Sequence, residues 1–287
     1  MRHRMLPLLP IVLGVINMPG CTPKKSSEPV ILIAAFGSSY ERGLGNLADF
    51  DRAVRSAFPG NEIYWGFSAS FIVKKLQNLG IKTLFDSQVP LLDIEQALSH
   101  LRALGKSKVL VVNFLIMRGA EYRQILNTPT AGLNVKYVHP ILYYEESIQN
   151  TVMALEDLIA DGKETATIFC AHGNGRDIQY NIELELLDEY LKRNYQNAYL
   201  VSLEGTPSWP PVRDAVLGSG VNRVRFVTFM LTSGDHMAND VMGESPESFR
   251  RQLGLSAEST DGLASIPEFQ RMFIDRMHQV MAQFEGM

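Results

Sequence analysis

The feature of this sequence that most restricts its fold is a regular alternation of strand-like and helical patterns. Continuous apolar runs, typical of parallel strands covered on both faces, alternate with amphipathic helical segments. This alternation predicts an α/β protein whose parallel sheets are flanked by helices. The predicted strands are Val30–Phe36, Glu62–Phe67, Lys108–Ile116, Val135–Val138, Thr165–Cys170, Ala198–Leu203 and Arg223–Leu231, and the predicted helices include Asn46–Ala57, Leu92–Leu104, Glu145–Ile159 and Ile178–Lys192.

The sequence also repeats itself weakly, which indicates two similar lobes. The segments that contain Gly37 and Asn61 match those that contain Gly173 and Asn197 at one constant offset. Further along, "GKSKVLVVNFLIMRGAEY" matches "GVNRVRFVTFMLTSGDHM" at a shorter offset. The shorter offset predicts one additional helical segment in the first half, within about 71–104.

These matches set the expected domain organisation. We expect a first lobe over residues 29–160 and a second over 161–287, with a terminal helix at about 266–284. Ligands of such proteins bind outside the carboxyl ends of parallel strands and often between domains. The sequence therefore predicts an active cleft between the two lobes.

The N-terminus has the layout of a bacterial export signal. "MRHRMLPLLPIVLGVINMPGC" places Arg2 and Arg4 before an apolar stretch that ends at Cys21, and "TPKKSSEP" follows as a flexible tether. Residues 1–28 are therefore expected to be a signal peptide, or a lipoprotein signal, plus a tether. This predicts a periplasmic or cell-envelope protein, attached to a membrane only if Cys21 carries a lipid.

The net charge and the cysteine content limit the binding partners and the disulfide bonds that can be expected of the chain. The net charge of −4 gives no indication of nucleic-acid binding. If Cys21 is removed or acylated, Cys170 is left without a partner, and no disulfide is expected. The sequence leaves the oligomeric state open and is compatible with a homo-oligomer.

Three side chains with metal-binding chemistry follow three strands of the second half. His172 in "IFCAHGNG", Glu204 in "LVSLEGTP" and His236 in "LTSGDHMAND" are equally spaced, about one strand–helix unit apart. Because the carboxyl ends of parallel strands meet at one edge, these side chains can converge there. Two imidazoles and a carboxylate suit a divalent metal such as Co²⁺, Fe²⁺, Ni²⁺ or Zn²⁺. A single strand-end histidine more often caps a loop, but three equivalent positions favour a metal site.

The repeat places counterparts of these residues in the first half. His172, Glu204 and His236 align with Phe36, Ser68 and Glu121. The first lobe should therefore form a wall of the cleft that is mostly free of metal ligands. Glu121 would be its one acidic group, either acting in the cleft or standing at a helix N-terminus where the dipole favours negative charge.

Several longer motifs give the chain a family resemblance from about residue 30 to its C-terminus. The motifs are "ILIAAFGSSY", "FSASFIVKKL", "PLLDIEQALSHLRALG", "NFLIMRGAEY", "HG" at His172, "LEGTP" at Glu204 and "GDHMANDVMGESPESF" at His236. With these motifs the chain resembles the anaerobic-type sirohydrochlorin cobaltochelatases, the CbiK family of class II chelatases. It departs from them at Arg176 and Asp177, where relatives often carry further histidines.

The resemblance implies a fold and an activity. It implies two ferrochelatase-like lobes, with His172, Glu204 and His236 binding Co²⁺, or Fe²⁺, for insertion into sirohydrochlorin, an acidic tetrapyrrole. Arg118 then becomes a candidate partner for a substrate carboxylate, or else a solvated loop residue.

Phe36 and Tyr40 become candidates for stacking on the macrocycle, although Phe36 would equally suit the core. A carrier of metal, haem or another tetrapyrrole on the same scaffold is the alternative, because tetrapyrrole metallation is normally cytoplasmic and the N-terminus suggests export. A zinc hydrolase with the same ligands ranks last, since no separate base stands in a motif.

Overall fold

The computed structural model of the protein describes residues 28–130 and 132–284. The expected export signal and Cys21 lie outside the described residues. Within the described ranges, no helix is long and apolar enough to cross a bilayer.

The first lobe is a four-stranded parallel sheet with helices on both faces. Its elements are β1 (Val30–Ala35), α1 (Glu41–Ala57), β2 (Ile63–Phe67), α2 (Ser70–Asn78), β3 (Thr83–Leu84), β4 (Val89–Pro90), α3 (Ile94–Ala103), β5 (Lys108–Asn113), α4 (Ala120–Asn127), β6 (Asn134–Val138) and α5 (Ser147–Ala154). The strands stand in the order β2-β1-β5-β6, and a two-stranded hairpin, β3–β4, lies beside the sheet.

The second lobe repeats this topology. Its elements are β7 (Thr165–Gly173), α6 (Ile182–Asn194), β8 (Ala198–Glu204), α7 (Trp209–Gly218), β9 (Arg223–Thr228), α8 (Phe249–Leu253), β10 (Ser256–Ser259) and α9 (Pro267–Met281), with a short π-helix at Met237–Val241. The strands stand in the order β8-β7-β9-β10, again all parallel, so each strand has a counterpart in the first sheet. The predicted α/β architecture of two similar lobes is confirmed.

The buried strands form because their side chains are apolar on both faces. The six residues of β1 are all buried, and it pairs with both β2 and β5 in the centre of its sheet. The edge strand β10, "SAES", is polar and only half-buried. Because β10 contains no apolar run, the sequence did not predict this strand.

The predicted extra helix of the first lobe is present. The second lobe joins β8 to β9 through α7 alone, whereas the first joins β2 to β5 through α2, the β3–β4 hairpin and α3. Helix α3 packs on the face of β1 that carries Val30, Leu32 and Ala34, and α7 packs on the matching face of β7. Helix α3 is therefore the counterpart of α7, and α2 with the hairpin is the insertion.

Two helices cross between the lobes. Helix α5, at the end of the first half, packs on α6, while the terminal helix α9 packs on α1, β5 and β6 of the first lobe. Phe273 of α9 lies edge-on to Phe50 and Phe114, with ring centroids 5.9 and 4.9 Å away. The sequence assigned α9 to the second lobe because its apolar stripe shows that the helix is packed, not which sheet it covers.

Polar contacts also tie the lobes together on the α1 side. The buried Asn46 donates to Ser265 Oγ at 2.7 Å and accepts from the Ser233 amide at 2.9 Å. Arg42 reaches Asp261 at 2.7 Å on the same side. These contacts hold the loops after β9 and β10 against α1, and so fix one side of the space between the sheets.

Candidate functional site

A cleft of about 600 Å³ lies between the two lobes at the carboxyl ends of their strands. The loops that follow β1 and β5 line one wall, and those that follow β7 and β9 line the other. A volume of this size suits a small organic ligand. The cleft lies where parallel sheets place their binding sites, as the sequence predicted.

His172 and His236 meet on the second-lobe wall of this cleft. Their ring centroids lie 4.8 Å apart, with the ring planes at 82°. His172 Nδ1 lies 3.0 Å from the carbonyl oxygen of Gly173, and His236 Nδ1 lies 2.6 Å from Asp240 Oδ2. Each Nδ1 is engaged, so each Nε2 is the nitrogen left to bind a ligand.

The backbone around His172 depends on a glycine. Gly173 has a φ of 75°, and a Cβ there would stand 2.1 Å from the carbonyl oxygen of Glu204. Only glycine accommodates that approach of the two strand ends. Its counterpart in the first lobe, Gly37, has a φ of 98°, so the two lobes share this turn.

His236 stands at the start of an unusual helical turn. The π-helix Met237–Val241 follows it directly, closed by a bond from the Met242 amide to the Met237 carbonyl at 3.0 Å. Turns of this kind occur frequently at functional sites. The turn carries Asp240 to the histidine Nδ1, where the carboxylate fixes the ring orientation.

Glu204 lies at the end of β8 but does not complete a metal site in this conformation. It shares a smaller pocket of about 280 Å³ with His236 and Asp240. Among residues 28–130 and 132–284, no three side chains of His, Cys, Asp or Glu stand close enough together to hold a metal. Glu204 is exposed, so its carboxylate can rotate. The structure thus brings the two imidazoles together and leaves the carboxylate beside them.

Two aromatic residues predicted for the substrate lie on the first-lobe wall. Phe36 is 41% exposed and Tyr40 is 43% exposed, and both line the cleft. The alternative that Phe36 belongs to the core is wrong. The Tyr40 hydroxyl crosses the cleft to donate to Asp235 Oδ1, and this hydrogen bond lowers the pKa of Asp235 and raises that of Tyr40.

Arg118 also lines the cleft, and it already has a carboxylate partner. Its Nε donates to Glu183 Oε1 at 2.9 Å, and its Nη2 donates to the same oxygen. Glu183 belongs to the second lobe and is 6% exposed, so the pair joins the two walls. The hydrogen bonds to Glu183 raise the pKa of Arg118, which keeps its charge fixed. Among the residues that the structure describes, no acceptor bonds its Nη1, which can therefore bind a ligand.

Glu121 stands in the first turn of α4 and lines the cleft. The structure therefore places it in both of its expected settings, at a helix N-terminus and in the cleft wall. Cys170, by contrast, is fully buried at the centre of β7. Burial raises the pKa of its thiol, so it is a packing residue.

Four further residues, at the cleft or in the smaller pocket beside it, did not emerge from the sequence. Asp235 and Asp240 flank His236, and Phe71 and Lys75 of α2 line the first-lobe wall. A signal for the first pair was available, because "GDHMAND" places a carboxylate four residues after the histidine. Phe71 and Lys75 share that same four-residue spacing on α2, which brings them to one helix face.

Comparison with known proteins identifies the family of this chain. The family model described as cobalt chelatase (CbiK) matches residues 29–282. The chain belongs to the CbiK cobalt chelatase family. A sirohydrochlorin cobaltochelatase of Salmonella typhimurium is 25% identical over 271 residues, covering 88% of this chain and 97% of the relative. The sirohydrochlorin cobaltochelatase CbiKC of Nitratidesulfovibrio vulgaris is 26% identical over 245 residues, covering 83% and 82%.

Solved structures agree with the family at the level of the fold. SirB from Bacillus subtilis with Fe³⁺ superposes with a TM-score of 0.62 at 15% identity, covering 90% of this chain and 98% of SirB. CbiX, a siroheme-biosynthesis enzyme of denitrifying bacteria, gives 0.52 at 13% identity, covering 87% and 98%. The two-lobed class II chelatase fold expected from the sequence is confirmed.

Arg176, where this chain differs from the pattern expected of the CbiK family, lies outside the main cleft. Arg176 is exposed and is not one of the cleft-lining residues. Asp177 begins the short helical turn that leads into α6 and also stays outside the lining. The two histidines that line the cleft are those of the main motifs.

Proposed function

We propose that this protein is a sirohydrochlorin cobaltochelatase, which inserts Co²⁺, or Fe²⁺, into sirohydrochlorin. The observation that carries the proposal is the pair of imidazoles with free Nε2 atoms on one wall of a cleft of about 600 Å³. The family match and the names of both curated relatives support the same reaction.

We assign the metal to His172, Glu204 and His236. Two imidazoles and one carboxylate leave coordination positions open, and the nitrogens of the macrocycle can occupy them during transfer. Glu204 is exposed at a strand end beside His236, so a rotation about its side-chain bonds can bring it to the metal.

The remaining cleft residues have roles in holding the tetrapyrrole. Phe36 and Tyr40 present exposed rings to the macrocycle, and Arg118 presents its free Nη1 to a carboxylate.

Insertion releases two pyrrole protons, and an imidazole freed as the metal departs can accept one near neutral pH. Glu121 or Glu204 is the candidate acceptor for the other.

We also propose that the chain acts outside the cytoplasm, as a periplasmic or envelope protein. The support is the sequence alone: two arginines, an apolar stretch and Cys21. N-terminal sequencing of the native protein tests this, with a mature start between Cys21 and Glu28 expected. An intact Met1 on protein recovered from the cytosol would contradict it.

The same N-terminal layout favours a second candidate, an exported carrier of metal, haem or a tetrapyrrole. Purified protein mixed with sirohydrochlorin and Co²⁺ separates the two functions. A chelatase changes the absorbance of the tetrapyrrole catalytically, over many turnovers. A carrier binds one equivalent and leaves the rate of metal insertion at its value without protein.

A further inference from the structure

The helix α2 is an addition to an otherwise duplicated frame, and it borders the cleft. Helix α3, not α2, occupies the place that α7 occupies in the second lobe. Helix α2 instead packs on the other side of the first sheet, through Ile72, Val73 and Leu76. The first lobe therefore has one cleft-lining helix that the second lobe lacks.

Phe71, at the start of α2, presents an uncovered aromatic ring to the cleft. The residue is 63% exposed, although it lines a concave surface. The ring meets Phe36 edge-on, with centroids 6.1 Å apart and planes at 69°. The two rings thus form a continuous apolar patch on the first-lobe wall, opposite the histidines. A flat macrocycle would cover this patch.

Lys75 lies one turn further along the same face of α2. Its Nζ stands 5.8 Å from the centre of the Tyr40 ring. In the described part of the chain, no carboxylate lies within ion-pair distance of this Nζ. Its nearest acidic influence is Asp235, which accepts from the Tyr40 hydroxyl and whose pKa is lowered first by that bond and to a smaller extent by the charge of Lys75. Arg118, which also lines the cleft, is by contrast already paired with Glu183.

We propose that α2 is the element that selects an acidic macrocycle, with Phe71 stacking on its face and Lys75 pairing with a peripheral carboxylate. The inference rests on the proposed function, since it deepens the substrate preference of the same cleft. An aromatic ring and a positive charge on one helical turn can together bind a flat ligand that is apolar at its centre and carries carboxylates at its edge. Neither residue is a metal ligand, so both act on substrate binding and specificity.

The chain offers a matched control for each residue. Lys74 is exposed on the same helix but does not line the cleft, and Leu79 is 68% exposed just beyond the helix end. The variants Lys75→Gln and Lys74→Gln remove the same charge from neighbouring positions. Phe71→Ser and Leu79→Ser each remove one exposed apolar side chain from the same segment.

The test measures binding of metal-free sirohydrochlorin by quenching of its fluorescence, with Co²⁺ affinity followed separately by calorimetry. Lys75→Gln should raise the Kd roughly 1.5- to 5-fold, the range for losing one partly exposed ion pair. Phe71→Ser should raise it roughly 3- to 10-fold through lost stacking. Co²⁺ affinity and both control variants should match the wild type.

Methyl esterification of the tetrapyrrole separates charge from shape. Phe71→Ser should weaken binding of the acid and the ester alike, whereas Lys75→Gln should weaken only the acid. Equal Kd values for wild type and Lys75→Gln, or equal losses in Lys74→Gln and Lys75→Gln, would overturn the role of Lys75. Unchanged binding in Phe71→Ser would overturn that of Phe71.

The outcomes also distinguish this inference from the proposed function. Wild-type protein that binds the acid through Phe71 and Lys75 but inserts no metal would support the inference and reject the chelatase. Active protein that binds the acid and the ester equally would reject the inference and keep the chelatase. Wild-type protein that binds neither form would reject both.

Discussion

His236 and Asp240 form a hydrogen-bonded pair at the edge of the cleft, with Nδ1 and Oδ2 2.6 Å apart. The π-helical turn between them brings the carboxylate to the ring and leaves Nε2 directed away from it. This is the arrangement by which proteins orient a metal-binding imidazole. The pair therefore links the local backbone to the chemistry proposed for the cleft.

Replacement of Asp240 by asparagine should weaken the metal site without removing a ligand. The amide cannot support the imidazole as the carboxylate does, so Co²⁺ affinity should fall roughly 10- to 100-fold. Calorimetric titration with Co²⁺ measures the change. Asp214→Asn, an exposed position paired with its neighbour Arg213, is the control and should bind Co²⁺ normally. Wild-type affinity in Asp240→Asn would contradict an orienting role.

Replacement of Glu121 by glutamine distinguishes a cleft residue from a helix-terminal charge. If the carboxylate draws in Co²⁺ or accepts a pyrrole proton, kcat or the dependence of the rate on metal should fall, while thermal stability changes little. Glu95 occupies the same first-turn position in α3 and does not line the cleft. Glu95→Gln should therefore lose a little stability and no activity. Unchanged kinetics in Glu121→Gln would refute the cleft role.

His139 should make stability depend on pH. The half-buried ring stacks on Tyr143 and lies 2.7 Å from the Tyr122 hydroxyl through Nδ1. Burial, and then the charge of Arg276, lower the pKa of His139 below its ordinary value. The unfolded chain therefore binds this proton more readily than the fold does, so stability is full above about pH 6.5 and is lost as pH falls below it.

His139→Gln removes this titration. The variant should lose less of its Tm than the wild type when pH falls from about 7.5 to about 5.5. Thermal unfolding of both proteins at the two pH values measures the difference. Parallel losses in the two proteins would show that His139 does not contribute to the acid sensitivity.

The order of elements and the position of both histidines could be predicted from the sequence. Buried parallel strands are continuous apolar runs, and the residues after them must lie at one sheet edge. The topological repeat was visible because Gly37 and Gly173 occupy the same turn in the two lobes.

What the sequence missed depends on contacts between distant segments. The apolar stripe of α9 predicts burial but not that Phe273 packs on the first lobe. The pairing of Arg118 with Glu183 joins residues from different lobes, and no local pattern encodes it. Glu204 is exposed at a strand end, where its side chain can rotate, so no local sequence pattern determines its rotamer.

The most direct test of the proposed metal site is the rate of Co²⁺ insertion into sirohydrochlorin by His236→Ala, followed by absorbance. His100→Ala is the control, because His100 lies on α3 and does not line the cleft. A half-buried side chain at the edge of the cleft contributes little to the core, so His236→Ala should keep the wild-type circular dichroism and unfolding transition. We expect this folded variant to insert no Co²⁺ above the rate without protein, while His100→Ala remains active. Wild-type turnover in His236→Ala would contradict the proposed metal site.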